Sequence, residues 1–97
     1  MEYKIINSKL GKARGLMFSK KKNLMFVFDK EQKVPLHNFF VFFSIDVLFL
    51  DKDKKIVEIK KDFKPFSYYN PKKKAKYVLE IAVNEDKKEH KIGEKFI

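Results

Sequence analysis

The stretch from Leu36 to Leu50 constrains the fold more than any other part of the chain. Its odd positions read His37, Phe39, Val41, Phe43, Ile45, Val47 and Phe49. Its even positions read Asn38, Phe40, Phe42, Ser44, Asp46, Leu48 and Leu50. Apolar side chains on both parities are what a strand covered on both faces needs. A single strand of this length would be unusual, so the pattern predicts two strands, or one bulged strand, divided near Ser44. Phe39, Phe40, Phe42 and Phe43 are then expected to fill a two-sided core.

The remaining segments supply partners. Tyr3 to Ile6 reads as an opening strand and Leu24 to Phe28 as a strand buried on both faces. Asp51 to Lys55 reads as a hairpin turn leading into Ile56 to Ile59, and Tyr77 to Val83 as a further strand. A short strand closes the chain at Phe96 and Ile97. Phe63 to Lys74 holds Pro65 and Pro71 and reads as a long loop. Ser8 is placed to cap a short helix carrying Leu10, Ala13 and Met17 on one face, and Gly11 and Gly15 there fit either a close backbone approach or a helix ending at Gly15. Short strands in this number predict a mainly β single domain over 1–97, a small sandwich or barrel with one short helix near the N-terminus.

Composition narrows the function classes. Phe alone numbers 11 and hydrophobic residues reach 44%, too many for a disordered tail. With Cys at 0, a disulfide framework and a thiolate metal site are excluded. The longest apolar run, Phe39 to Phe43, is far short of a membrane span. Met1-Glu2-Tyr3-Lys4 lacks signal-peptide anatomy, so a cytoplasmic protein with no membrane partner is expected. The net charge of +10 suggests a polyanion partner. Yet Arg14 is the only arginine among 23 Lys and Arg, and readers of bases or phosphates usually enlist its planar fork. Weak, salt-sensitive attraction to nucleic acid is the expectation, not specific recognition.

Four blocks occur in order: Arg14-Gly15-Leu16-Met17-Phe18, Leu24-Met25-Phe26-Val27-Phe28, Ser44 to Asp51, and Ala75-Lys76-Tyr77-Val78-Leu79-Glu80. Together they resemble the DUF 192 (UPF 0127) family in its short form, over nearly the whole chain. The resemblance implies a mostly β domain of jelly-roll-like character and implies no reaction, cofactor or partner. This sequence departs from the family pattern at Ser44, where proline is usual, and at Lys54, where glycine is usual. Lys54 is therefore expected to carry a left-handed backbone at some cost.

Among chemistry-bearing residues, Asp46 is the most conspicuous, a carboxylate in an apolar strand. An unpaired buried charge is costly, and Arg14 is the obvious partner. The pair could hold a small polar ligand, with His37 and Asn38 beside it. Alternatively it is a structural bridge, or Asp46 caps backbone amides at a bulge. Ser44, His37 and Asp46 have the side-chain types of a hydrolytic triad but crowd one strand on opposing parities. His37 and His90 alone make no metal site, and Gly11, Gly15 and Gly93 form no phosphate-cradling loop, so no cofactor is expected. Lys20, Lys21, Lys22, Tyr68, Tyr69, Lys72, Lys73 and Lys74 are the candidates for gripping a polyanion. The plainer reading there is a loop pinned by one buried tyrosine ring while the lysines stay solvated. The leading expectation is a non-catalytic module that binds a small molecule or a protein. The alternatives are a lysine-driven polyanion binder and an enzyme with a carboxylate site around Asp46.

Overall fold

The computed structural model describes residues 1–8, 11–12, 15–17, 19–84 and 88–96. Apolar, strand-forming runs separated by charged turns give seven strands: β1 (Lys4–Ile6), β2 (Leu24–Gln32), β3 (Leu36–His37), β4 (Ile45–Leu50), β5 (Ile56–Phe63), β6 (Tyr68–Tyr69) and β7 (Ala75–Ile81). Five of them form one sheet in the order β1-β2-β7-β4-β5, and β3 pairs with β6 in a second, two-stranded sheet. Only β1 and β2 run parallel; β2–β7, β7–β4 and β4–β5 are antiparallel. The protein is thus mainly β, as the strand pattern predicts. Among the described residues no helix is long and apolar enough to cross a membrane.

Side-chain alternation gives the large sheet two apolar faces. On one, Leu24, Phe26, Val47, Phe49 and Val78 cluster with Leu16 and Val41, and Leu36 and Tyr69 of the small sheet pack against them. On the other, Met25, Leu48, Leu50, Leu79 and Ile81 pack against Tyr3 and Phe96. Phe49 and Val47 are fully buried because β4 has hydrogen-bonded neighbours on both sides and cover on both faces.

Ser8 acts as expected: its Oγ accepts from Gly11 N–H at 3.0 Å, and its carbonyl accepts from Lys12 N–H. The helical turn stops at Gly15, whose φ is +51°. Leu10 and Ala13, expected on its apolar face, lie outside the described residues. Lys54 has φ +62° in the β4–β5 hairpin, the left-handed position predicted for it.

The largest departure is at 38–44. The expected strand through the phenylalanines stops after His37, and Phe39, Phe40 and Phe42 are exposed rather than core. Asn38 turns the chain. Its backbone N–H donates to Ser67 O at 2.8 Å, and its carbonyl accepts from Phe66 N–H at 2.8 Å. Its side-chain Nδ2 donates to the carbonyls of Phe63 and Lys64, each at 3.1 Å. With those bonds made, the loop pairs with no strand among the described residues. The Phe63–Lys74 loop conversely contains a two-residue strand, β6, that the sequence pattern did not announce.

Candidate functional site

A cavity of about 300 Å³ opens on the first face of the large sheet. The left-handed turn at Gly15 and Leu16 and the 34–38 segment form its walls, and Phe26, Phe28, Val41 and Val78 line it with apolar surface. Glu80 of β7 also lines it. Glu80 shares the parity of Val78, so it faces the apolar cluster from the middle strand of the sheet. It is only 6% exposed, and no side-chain hydrogen bond or ion pair reaches its carboxyl among the described residues. Burial pushes that carboxyl up to about 7. Gly15 stands directly over it. A Cβ there would lie 3.7 Å from Glu80 Oε1 and 3.5 Å from the Phe26 ring. Lys12, also lining the cavity, holds its Nζ 4.5 Å from the centre of the Phe28 ring.

Two other hollows offer less. The widest, about 980 Å³ and open, is lined by 1–4, 22–23 and 83–84. Its buried Asn23 is fully engaged: Nδ2 donates to Glu2 O and Val83 O, and Oδ1 accepts from the N–H groups of Ala82 and Val83. A third, about 260 Å³, lies on the opposite face among Asp46, Lys61, Glu89 and His90. There His90 Nδ1 meets Glu94 at 3.3 Å, while its buried Nε2 has no partner among the described residues. No group of three or more His, Asp or Glu side chains capable of holding a metal occurs among the described residues.

The four residues expected to share a site are not brought together as a set. His37 and Asn38 line the Glu80 cavity. Asn38 is buried, but its amide is committed to the Phe63 and Lys64 carbonyls. His37 is exposed, stacked at 5.0 Å on Phe39. Asp46 lies on the other face of the sheet, with Leu48 and Ile81. Its Oδ1 accepts from Asp62 N–H at 2.9 Å, where Asp62 has φ +52° and the β4–β5 register shifts between Ile45 and Val47. Asp46 is therefore a cap on a bulge, one of the structural roles weighed for it. Arg14, its expected partner, lies outside the described residues.

The lysine and tyrosine set also divides. Tyr69 packs at 5.9 Å from Phe49 and 6.4 Å from Phe63, ring centre to ring centre. Its hydroxyl donates to the Glu58 carboxylate. That hydrogen bond, with burial and the carboxylate charge added, pushes the phenol up to about 12. Glu58 Oε1 also accepts from the backbone N–H groups of Lys72 and Lys73, each at 2.9 Å. Tyr69 is thus the ring that pins the loop. Tyr68, Lys72, Lys73 and Lys74 remain exposed, as do Lys20, Lys21 and Lys22 at the entry to β2.

Glu80 was in view in the sequence but unremarked as a site. Its signal is a carboxylate two positions after Val78, on the inward parity of an otherwise apolar strand.

Residues 1–95 match a family model, DUF192, described as an uncharacterized ACR. The UPF0127 protein of Pyrococcus horikoshii is 38% identical over 82 residues, covering 81% of this chain and 70% of that protein. A UPF0127 protein of Thermococcus sibiricus is 37% identical over 84 residues, covering 82% of this chain but only 54% of its own length. A crystal structure of a putative transcription regulator from Sinorhizobium meliloti superposes with TM-score 0.77 at 21% identity, over 82% of this chain and 67% of that one. A protein of unknown function from Novosphingobium aromaticivorans gives TM-score 0.75 at 17% identity, over 82% of this chain and 61% of that one. At such identities these two neighbours establish the likeness of fold.

Proposed function

The chain belongs to the DUF192 family, also called UPF0127, and we propose that it is a non-catalytic module that binds a small molecule in the Glu80 cavity. One observation carries this reading: a carboxyl, buried and without a partner among the described residues, at an apolar hollow of about 300 Å³. Buried polar groups are normally satisfied, and leaving one unmet costs free energy that a bound donor recovers. The ligand class that fits has an apolar body against Phe26, Phe28 and Val78 and one hydrogen-bond-donating group, amine, amide or hydroxyl, toward Glu80.

A thermal-shift panel of small amines, alcohols and amides at pH 6 and pH 8 tests the reading. A ligand of the folded state alone raises the melting midpoint by mass action. At least one probe should shift the wild type and lose that shift in Glu80→Gln. Equal shifts in both proteins, or none in either, would overturn the proposal.

The polyanion reading draws support from the 72–74 loop, where Glu58 fixes the backbone while all three lysine side chains stay exposed. Binding to short RNA that falls steeply with salt would carry it.

A further inference from the structure

Five large rings project from two neighbouring loops: Phe39, Phe40 and Phe42 from one, Phe66 and Tyr68 from the other, each between 43% and 64% exposed. The loops are tied together by the Asn38 bonds to Phe63, Lys64, Phe66 and Ser67, so the rings are presented on a fixed frame. Phe66 is the hub. Phe40 meets it at 6.0 Å and Phe42 at 5.8 Å, both edge-on. Phe40 and Phe66 hold φ at +57° and +58°, a left-handed conformation that is strained for a non-glycine residue. An apolar cluster kept in water on a strained backbone calls for an occupant.

Charge identifies the occupant. Residues 33–45 and 63–79, which form both loops and the segments entering them, contain no Asp or Glu. They carry Lys33 and the Lys72–Lys74 run, all exposed, and Lys64, whose Nζ is ion-paired with Asp62 at 2.8 Å. A second copy would bring a net charge of +10 against another +10. The edge-on rings offer no parallel platform for stacked bases, and these segments hold no arginine to fork onto phosphates. Protein interfaces share the aromatic enrichment but are depleted in Lys, which both of these segments carry. Exposed phenylalanine tips on lysine-bearing segments that hold no acidic residue match an anionic bilayer, where rings enter the headgroup and acyl boundary and ammonium groups reach lipid phosphates.

We propose that the Phe40–Phe42–Phe66 edge docks the protein on anionic membrane surfaces. This replaces the expectation of no membrane partner, because surface docking needs no spanning segment. The proposal stands independently of the Glu80 cavity.

Phe42→Trp introduces a reporter into a chain with no tryptophan. Its emission should shift to the blue on vesicles of mixed phosphatidylserine and phosphatidylcholine, and stay unchanged on phosphatidylcholine alone. In co-sedimentation, the wild type should bind the anionic vesicles, and Phe42→Ser with Phe66→Ser should weaken that binding by about tenfold or more. Melting curves of the double variant establish that it is folded. If it is not, Phe42→Ser alone takes its place, with a smaller loss expected. Three results would overturn the proposal: no sedimentation of the wild type, binding indifferent to the phenylalanine substitutions, or loss of short-RNA binding in the same variant without vesicle binding.

Discussion

Two halves of one apolar run, 38–44 and Ile45–Leu50, meet different fates: Val41 of the first reaches the core, but Phe39, Phe40 and Phe42 do not. Both are rich in large hydrophobic side chains on both parities. In the second half those side chains are buried, with Phe49 and Leu50 at zero exposure, while in the first half Phe42 is 64% exposed. Composition does not separate them; neighbours do. β4 lies between β5 and β7, so its backbone groups are paired and both its faces are covered. The 38–44 segment has Asn38 as its anchor and, among the described residues, no strand paired with it. Apolar patterning on both parities states a demand for cover, and topology decides whether the demand is met.

Substitutions can break or sharpen this contrast. The largest effect is expected for Phe49→Ala, which should cost about 3–5 kcal/mol in chemical denaturation by removing a fully buried ring between two paired strands. A cost below that of an exposed site would refute the contrast outright. Glu80→Gln tests the same core from its polar side. Burial raises the folded-state carboxyl from its ordinary 4.5 to about 7, so the native state holds its proton more tightly than the unfolded chain. Wild-type stability from this group is therefore full below about 4.5 and lost as pH rises through about 7. Glu80→Gln should match the wild type at pH 4 and exceed it at pH 8, by on the order of 3 kcal/mol. Melting curves across that range read the difference, and a pH-independent gap would contradict it.

Asn38→Ala should cost about 2 kcal/mol, because the Phe63 and Lys64 carbonyls lose their donor at a buried position. Hydrogen exchange in that variant should rise across both loops and leave β4 protected. Asp46→Ala removes one hydrogen bond at the bulge and should cost about 1 kcal/mol or less. Phe42→Ser completes the comparison at the small end: its stability should lie within about 0.5 kcal/mol of the wild type.

Much of the fold is legible in the sequence because local signals agree with tertiary placement. Ser8 and Gly15 bracket the helical turn, Asp51 to Lys55 makes the hairpin, and Leu24 to Phe28 lies within β2. The Tyr69 ring that pins its loop follows from tyrosine's apolar body and polar tip. The candidate site is less legible. Asp46 and Glu80 are both carboxylates in apolar strands, and parity treats them alike. What distinguishes them is place. Asp46 sits at the start of β4 beside a bulge, within reach of the Asp62 amide. Glu80 sits in the middle strand of the sheet, where the backbone of β7 is already paired with β2 and β4. The order β1-β2-β7-β4-β5 that puts it there depends on pairings between distant segments, which no local window reports.

That strand order also governs when the molecule can form. β7 joins β2 to β4, yet it is made after all the other strands. A nascent chain that has emerged only as far as β6 holds the β4–β5 hairpin and a β2 with no antiparallel neighbour, and its long-range closure waits on the last strand. Closure of the sheet therefore waits on Ala75–Ile81, and a ribosome stalled before Ala75 displays an open sheet edge to its surroundings.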